Sequence, residues 1–309
     1  MLCSVVIPWH RDLDDLRRAV DSVLAQTHQH FEIIVVVNGP GNDSYDDVVR
    51  LCADPRCRAA RQDRGNASAA RNLGIGMARG DLIFLLDADD TFLPGKLERL
   101  IAHHRETGFD LAFSRGMRMR GNGVTWPFPV EVWDCRQPIS EFFFCDGCTI
   151  SASALVIAGG ASKTLRFAES CGSYEDPDLV IRAVADGLNV EMLPDALYRW
   201  SDERSGNRLS QMENFDERLA WIDRLDSAVT PKARAAFRAR CVAQHAFPSN
   251  FTRSLGHFLT ALRLRAIPLR DLALFMLRGL IPAGMRRRLI NLYFRRRGKQ
   301  SLASRVEPA

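Results

Sequence analysis

The chain alternates short, wholly apolar runs with segments in which apolar residues recur every three or four positions. Residues 2–7 form an apolar run stopped by Pro8. Residues 31–37 form a second, rich in Ile33, Ile34, Val35, Val36 and Val37, and it ends in the turn cluster Asn38-Gly39-Pro40-Gly41. A strand with one wet face would alternate apolar with polar residues, so unbroken runs predict strands buried on both faces. Between them, residues 12–25 carry apolar side chains at 13, 16, 20, 23 and 24, which is helical spacing. Residues 43–52 also read as a helix and 58–62 as a weaker strand. Asn66 predicts the N-cap of a helix over 67–78, with Gly80 as its stop. Residues 82–86 are the next buried strand, opening directly into Asp87-Ala88-Asp89-Asp90. Strand and helix alternating at this pitch predict βαβ units, hence an α/β fold with a parallel sheet and helices on both faces.

From residue 109 the pattern loosens. Residues 111–120 and 123–128 read as strands, while Trp126, Pro127, Phe128, Pro129 and Trp133 mark an irregular, aromatic excursion. Residues 149–157 return toward the sheet, a helix over 177–186 stops at Gly187, and a strand follows at 189–193. After Asn207 only helical patterns remain, over 211–226, 231–246 and a basic segment beyond. The expected division is therefore an α/β domain over 1–206 and a C-terminal helical, basic region over 207–309.

The end of the 82–86 strand carries the clearest chemistry. Open α/β sheets place ligand sites at the C-terminal ends of their parallel strands. Three carboxylates within four residues repel one another unless a cation sits among them, and hard divalent ions such as Mg²⁺ or Mn²⁺ take such oxygens. A plainer reading makes 87–90 a polar turn, with Asp90 or Thr91 capping a helix near 94–104.

Composition narrows the class. A chain of 309 residues, 46% hydrophobic and 26% charged, can bury a proper core. It has no uncharged apolar run of about 18 residues, so no transmembrane helix is expected. Residues 1–8 lack a basic lead-in and read as a first strand, not a signal peptide. Eight scattered cysteines make no disulfide framework, and the expected location is the cytoplasm. The net charge of +5 is unevenly held: from Arg253 onward 13 Lys/Arg face 2 acids, a net of +11, while the first 252 residues carry −6. Amphipathic and basic, with Arg286-Arg287-Arg288 and Arg295-Arg296-Arg297 flanking residues 289–294, the tail reads either as a segment lying peripherally on an anionic membrane surface or as a helical cap with a solvated basic edge. No nucleic-acid-binding fold accompanies the charge, and nucleic acid is not an expected partner.

In order and at sensible spacing, residues 4–8 (Ser-Val-Val-Ile-Pro), Ala25-Gln26-Thr27, the strand from Glu32 to Asn38-Gly39, Ala70-Arg71-Asn72-Leu73-Gly74, Gly80-Asp81, Asp87-Ala88-Asp89-Asp90 and Tyr174-Glu175-Asp176 resemble the family 2 glycosyltransferases. The resemblance covers about residues 2–205. It implies the nucleotide-sugar-binding GT-A fold and an inverting, metal-dependent transfer from a nucleotide sugar, with UDP the expected nucleotide, to a glycan or lipid-linked acceptor. It places Mg²⁺ or Mn²⁺ on Asp89 with Asp87 beside it, and the nucleotide sugar against Pro8, Trp9, His10, Asn38, Arg71, Asp87, Ala88 and Asp89. Such a metal would offset the charge that gathers on a departing diphosphate. Asp176 is then the general base for the acceptor hydroxyl.

Each residue also has a plainer reading. Asp176 before Pro177 suits an N-cap, and Arg71 suits a solvated helix face. Two departures stand out. Asn38 replaces a frequent Asp, although an amide still offers a donor and an acceptor to a pyrimidine edge. After Tyr198-Arg199 the family's His is absent, which leaves Ser201, Asp202 or water to complete a metal shell, and Arg204 or Arg208 to clamp a diphosphate. The rival class is a transferase-like binding module without turnover. Nucleotidyl transfer also uses paired Asp, but Pro8-Trp9-His10-Arg11 lacks the phosphate loop it wants. Cys145-Asp146-Gly147-Cys148 is a lone pair, since zinc would need two more ligands at short spacing and only Cys135 and Cys171 are near; Gly74, Gly76 and Gly80 make no dinucleotide fingerprint, and His103-His104 read as a solvated helix face.

Overall fold

Unbroken apolar strands can be satisfied only between two layers, and the centre of the sheet is built from them. In the computed structural model, which describes residues 1–39, 44–119, 125–201, 215–243 and 251–280, strand β1 (Cys3–Trp9) lies between β2 (Phe31–Asn38) and β4 (Leu82–Leu85), parallel to both. Val5 stands beside Ile33 on one side and Phe84 on the other, and all three are fully buried. β3 (Cys57–Gln62) adds in parallel at the β2 edge.

The full order is β3-β2-β1-β4-β8-β6-β9-β5, with β5 at Thr91–Phe92, β6 at Leu111–Met119, β7 (Thr125–Phe128) paired to β6, β8 at Leu155–Ala158 and β9 at Val190–Ser201. The α/β class holds. The strands β3-β2-β1-β4 pair in parallel, while β8 runs antiparallel to β4 and to β6, and β9 antiparallel to β5. β9 runs well past the expected 189–193, through Pro194 to Ser201, with Leu197 and Tyr198 buried in the added stretch.

Helices α1 (Leu13–Leu24), α2 (Tyr45–Leu51) and α3 (Ala67–Met77) connect the parallel strands. Asp12 accepts from Asp15 N–H at the start of α1, and Asn66 from Ala69 N–H at the start of α3. Helix α4 (Lys96–Thr107) begins after Gly95 in the left-handed region, so neither Asp90 nor Thr91 caps it. Asp90 is instead buried and held by distant residues, described below. His103 and His104 are half-buried and pack their rings against Phe109, at 5.9 and 4.7 Å between centroids, so theirs is not a solvated face.

The chain forms two compact units: residues 1–118, 127–139 and 149–212 in one, and 119–126, 140–148 and 213–309 in the other. The second unit thus recruits two pieces that precede residue 206. Within it, Phe144, at the end of α5 (Ile139–Phe144), meets Trp221 of α7 (Phe215–Arg224) and Phe237 of α8 (Pro231–Phe237) edge-on. Arg240 donates to the carbonyls of Phe144 and Cys145 and pairs with Asp271 at 2.7 Å. Helices Phe251–Arg263 and Leu269–Leu280 pack through Phe258 and Phe275. Among the described residues no helix is long and apolar enough to cross a membrane. Asp202, Arg204, Arg208, the start of the 211–226 helix, residues 244–246 and both arginine triplets lie outside the described residues.

Helix α3 sits close against β1. A Cβ on Gly74 would come within 2.2 Å of Val6 Cγ1, inside a strand with no room to yield. Gly74→Ala should cost about 1–3 kcal/mol of stability through overpacking. Equilibrium urea unfolding measures it. Val6→Ala in the same chain should recover part of the loss, and strictly additive effects would show that the two residues do not press on one another.

Candidate functional site

The C-terminal ends of β1, β2 and β4 open at one edge of the sheet, where α/β folds place ligands. Three further segments meet the turn after β4. Asn66 fixes where α3 starts, and that register sets Ser68 and Arg71, three residues apart, on one helix face. Arg71 is 5% exposed. Its Nη2 donates to Asp87 at 2.7 Å and its Nη1 donates to Glu175, which also accepts from Ser68 Oγ at 2.8 Å. Burial works against the guanidinium charge, but Asp87 and Glu175 outweigh it and hold Arg71 firmly protonated. The solvated-face reading of Arg71 is overturned. Its fork joins the acidic turn to α6 (Glu175–Ala185).

Asp176 stands in the first turn of α6. The residue before that helix is Tyr174, so Asp176 is not the N-cap its sequence context suggests. The backbone N–H of Ala152 donates to its carboxylate, while Oδ1 is buried with no hydrogen-bond partner among the described residues. Burial pushes its pKa well above the usual carboxylate range. Arg71 opposes that rise, and the charges of Glu175 and Asp87 add to it.

Within the turn, the three Asp residues have different surroundings. Asp87 is partly covered, Asp89 exposed and Asp90 buried. Asp90 Oδ2 accepts from Ser153 Oγ at 2.6 Å and Oδ1 from Ser201 N–H at 3.1 Å. Below it Lys96, fully buried, donates from Nζ to the Ser153 carbonyl at 2.7 Å and stands over the rings of Phe92 and Tyr198. Burial pushes the Lys96 pKa down to about 7, against the pull of Asp90.

At the ends of β1 and β2, His10 is exposed and its Nδ1 lies 2.8 Å from the Asn38 carbonyl oxygen. Asn38 itself is buried, and its Oδ1 has no partner among the described residues. An unpaired buried amide oxygen calls for a donor. Trp9 points inward, 2% exposed, with its indole N–H on the Asp12 carbonyl, so it offers a ligand no ring face. Pro8 and Ala88 are partly exposed.

A family model described as "Glycosyl transferase family 2" matches residues 4–154, a stretch that holds β1, β2, α3 and the acidic turn. The chain belongs to this family. It is 26% identical over 218 residues to an uncharacterised glycosyltransferase of Methanocaldococcus jannaschii, covering 69% of this chain and 74% of that protein. It is 38% identical over 244 residues to the succinoglycan biosynthesis protein ExoO of Rhizobium meliloti, covering 70% of this chain and 66% of ExoO. Among solved structures, residues 1–349 of S. aureus TarS in complex with UDP-GlcNAc superpose with a TM-score of 0.64 at 17% identity, over 89% of this chain and 84% of that 1–349 chain. That likeness shows a shared GT-A fold.

As a glycosyltransferase, the chain has donor atoms suited to a hard cation. Asp87, with one carboxylate oxygen engaged by Arg71, and the exposed Asp89 sit on one turn. No group of three or more His, Cys, Asp or Glu among the described residues could enclose a metal. Two carboxylates fit an ion that draws its other ligands from water and phosphate, as Mg²⁺ does, and Mn²⁺ shares its taste for oxygen ligands. Sequence reasoning gave no role to Ser68, Lys96, Ser153 or Glu175. Only Glu175, next to Asp176, offered any signal.

Asp176 should titrate well above the aspartate range of about 4. Carbon-13 NMR of the aspartate carboxyls, with the signal identified by Asp176→Asn, reads it directly. Because the Arg71 cation favours the ionised form, Arg71→Met should move the midpoint higher still. A midpoint near 4 would mean a solvated carboxylate.

Proposed function

We propose that this glycosyltransferase is inverting and metal-dependent. Its donor is a nucleotide sugar, with UDP as the nucleotide, and its acceptor a glycan or lipid-linked saccharide in surface polysaccharide synthesis. The observation that carries the reading is Arg71, whose two ends tie the Asp87 turn to the helix that presents Asp176. A donor-side carboxylate pair and a candidate base are thereby fixed in one site. The UDP-GlcNAc held by TarS on the same fold, and the biosynthetic role in ExoO's name, support the choice of donor and setting.

In this reading Asp89 and Asp87 hold Mg²⁺ or Mn²⁺, which when bound supplies positive charge to the diphosphate. Asn38 offers its unpaired Oδ1 to the base edge, and the Pro8-Trp9-His10 backbone bounds the nucleoside. Arg71, expected at the nucleotide, acts through Asp87, which it holds at 2.7 Å. Asp176 takes the proton of the acceptor hydroxyl as that oxygen attacks the anomeric carbon from the face opposite the diphosphate. The C–O bond to the diphosphate breaks, inverting the centre, and the nucleoside diphosphate departs. The raised pKa makes the ionised carboxylate a stronger base, and the Arg71 cation favours that ionised form.

Calorimetric titration of UDP, GDP, dTDP and CDP, with Mn²⁺ and with EDTA, tests the donor site. UDP should bind in a Mn²⁺-dependent way that Asp89→Ala abolishes. Asp176→Asn should keep that binding and lose UDP-releasing turnover by about 100-fold or more. Binding of none of the four by a folded protein would favour a module without turnover, and unchanged binding by Asp89→Ala would remove the metal assignment.

The C-terminal helices support a peripheral place on the inner membrane face. Phe251, Leu259, Leu264, Leu269 and Leu274 are exposed, interspersed with exposed Arg253, Arg263, Arg265 and Arg270. Apolar side chains beside a net charge of +11 from Arg253 onward match an anionic lipid surface. The protein should float with phosphatidylglycerol vesicles and not with neutral ones, and the triple change of Leu259, Leu269 and Leu274 to Ser should release it. Equal flotation with both vesicle types would count against the charge term.

A further inference from the structure

The three-residue 3₁₀ turn Ala152–Ala154 touches both halves of the proposed site. The Ala152 N–H donates to Asp176. Its neighbour Ser153, 0% exposed, accepts from the Asp87 N–H at 3.0 Å and donates to Asp90 Oδ2 at 2.6 Å, so one hydroxyl ties both ends of the acidic turn. Lys96 then fixes Ser153 from behind through its carbonyl. Sheet register explains the placement. β8 runs antiparallel to β4 with Val156 opposite Phe84, so three residues along, position 153 falls opposite 87.

We propose that Ser153 is a positioning residue of this transferase: its hydroxyl sets the Asp87–Asp90 turn, and with it the exposed Asp89, against the helix that carries Asp176. The inference rests on the reading of Asp89 and Asp87 as cation ligands. Ser153 touches neither donor nor acceptor. It acts through the turn, as outer partners of metal ligands do. A serine suits the place because a hydroxyl donates and accepts at once, and both roles are filled here.

The test is calorimetric titration of UDP into the full chain, with Mn²⁺ and with EDTA, for the wild type and for Ser153→Ala, Ser153→Cys and Ser153→Thr. Ser153→Ala should weaken the Mn²⁺-dependent affinity by about tenfold or more, the usual effect of losing an outer partner. Binding in EDTA should be unchanged, and Ser153→Thr, which keeps the hydroxyl, should restore the Mn²⁺-dependent affinity. Ser153→Cys keeps the volume while weakening both bonds, so it decides the matter if the Ala variant does not fold. A folded Ala or Cys variant with wild-type affinity in Mn²⁺ overturns the proposal, as does an equal loss in Mn²⁺ and EDTA, which would mark Ser153 as structural only. Absence of Mn²⁺-dependent binding by the wild type overturns the cation reading itself, and this inference with it.

Discussion

The ion-paired Arg71 is the constraint on which the rest of the site depends. Taking a guanidinium and two carboxylates out of water costs several kcal/mol per ion, and their attraction repays it only when the geometry is good and the remaining donors find partners. Here Asp87 and Glu175 take the two ends of the fork and Ser68 satisfies Glu175 further, while Arg71 Nε is buried with no hydrogen-bond partner among the described residues. The arrangement is poor as a source of stability, because an apolar cluster of the same volume would do as well. What it supplies is position. α3, the acidic turn and the first turn of α6 are tied together by one side chain with a planar, inflexible head.

That tie also sets the electrostatics of Asp176. Burial, Glu175 and Asp87 all favour its protonated form, and Arg71 is the opposing charge. Two tendencies therefore act on the carboxyl: burial and its acidic neighbours raise it above an ordinary aspartate, and a fixed cation opposes the rise. Acidic groups crowded without such a cation would simply stay protonated.

Beneath the turn lies a second polar layer that carries no net exposure to solvent. Asp90, Ser153, Lys96, Ser114 and Tyr198 are all buried, and they hydrogen-bond or stack with one another in place of water. Such networks are favourable only when their members are satisfied. Asp90 has a partner on each oxygen, one from the segment before β8 and one from the end of β9, so the turn is braced by two strands that lie far from it in the chain.

By itself the sequence determined the parallel half of the sheet, the helical period of α1, the cap of α3, the acidic turn at the end of β4 and the basic character of the tail. Each of these is local: a run of β-branched residues, an Asn before a helical period, carboxylates after a buried strand. The tertiary structure decided the rest. Arg71 and Glu175 are 104 residues apart, Asp90 and Ser153 63, Asp90 and Ser201 111. These pairs meet because β8 inserts beside β4 in antiparallel register and β9 returns to the β5 edge. Hydrophobic periodicity reports which face of an element is buried, and it carries no record of which element covers it. For that reason Asp90 read as a cap and Asp176 as another, while their true partners lay on strands and helices whose order only the folded sheet reveals.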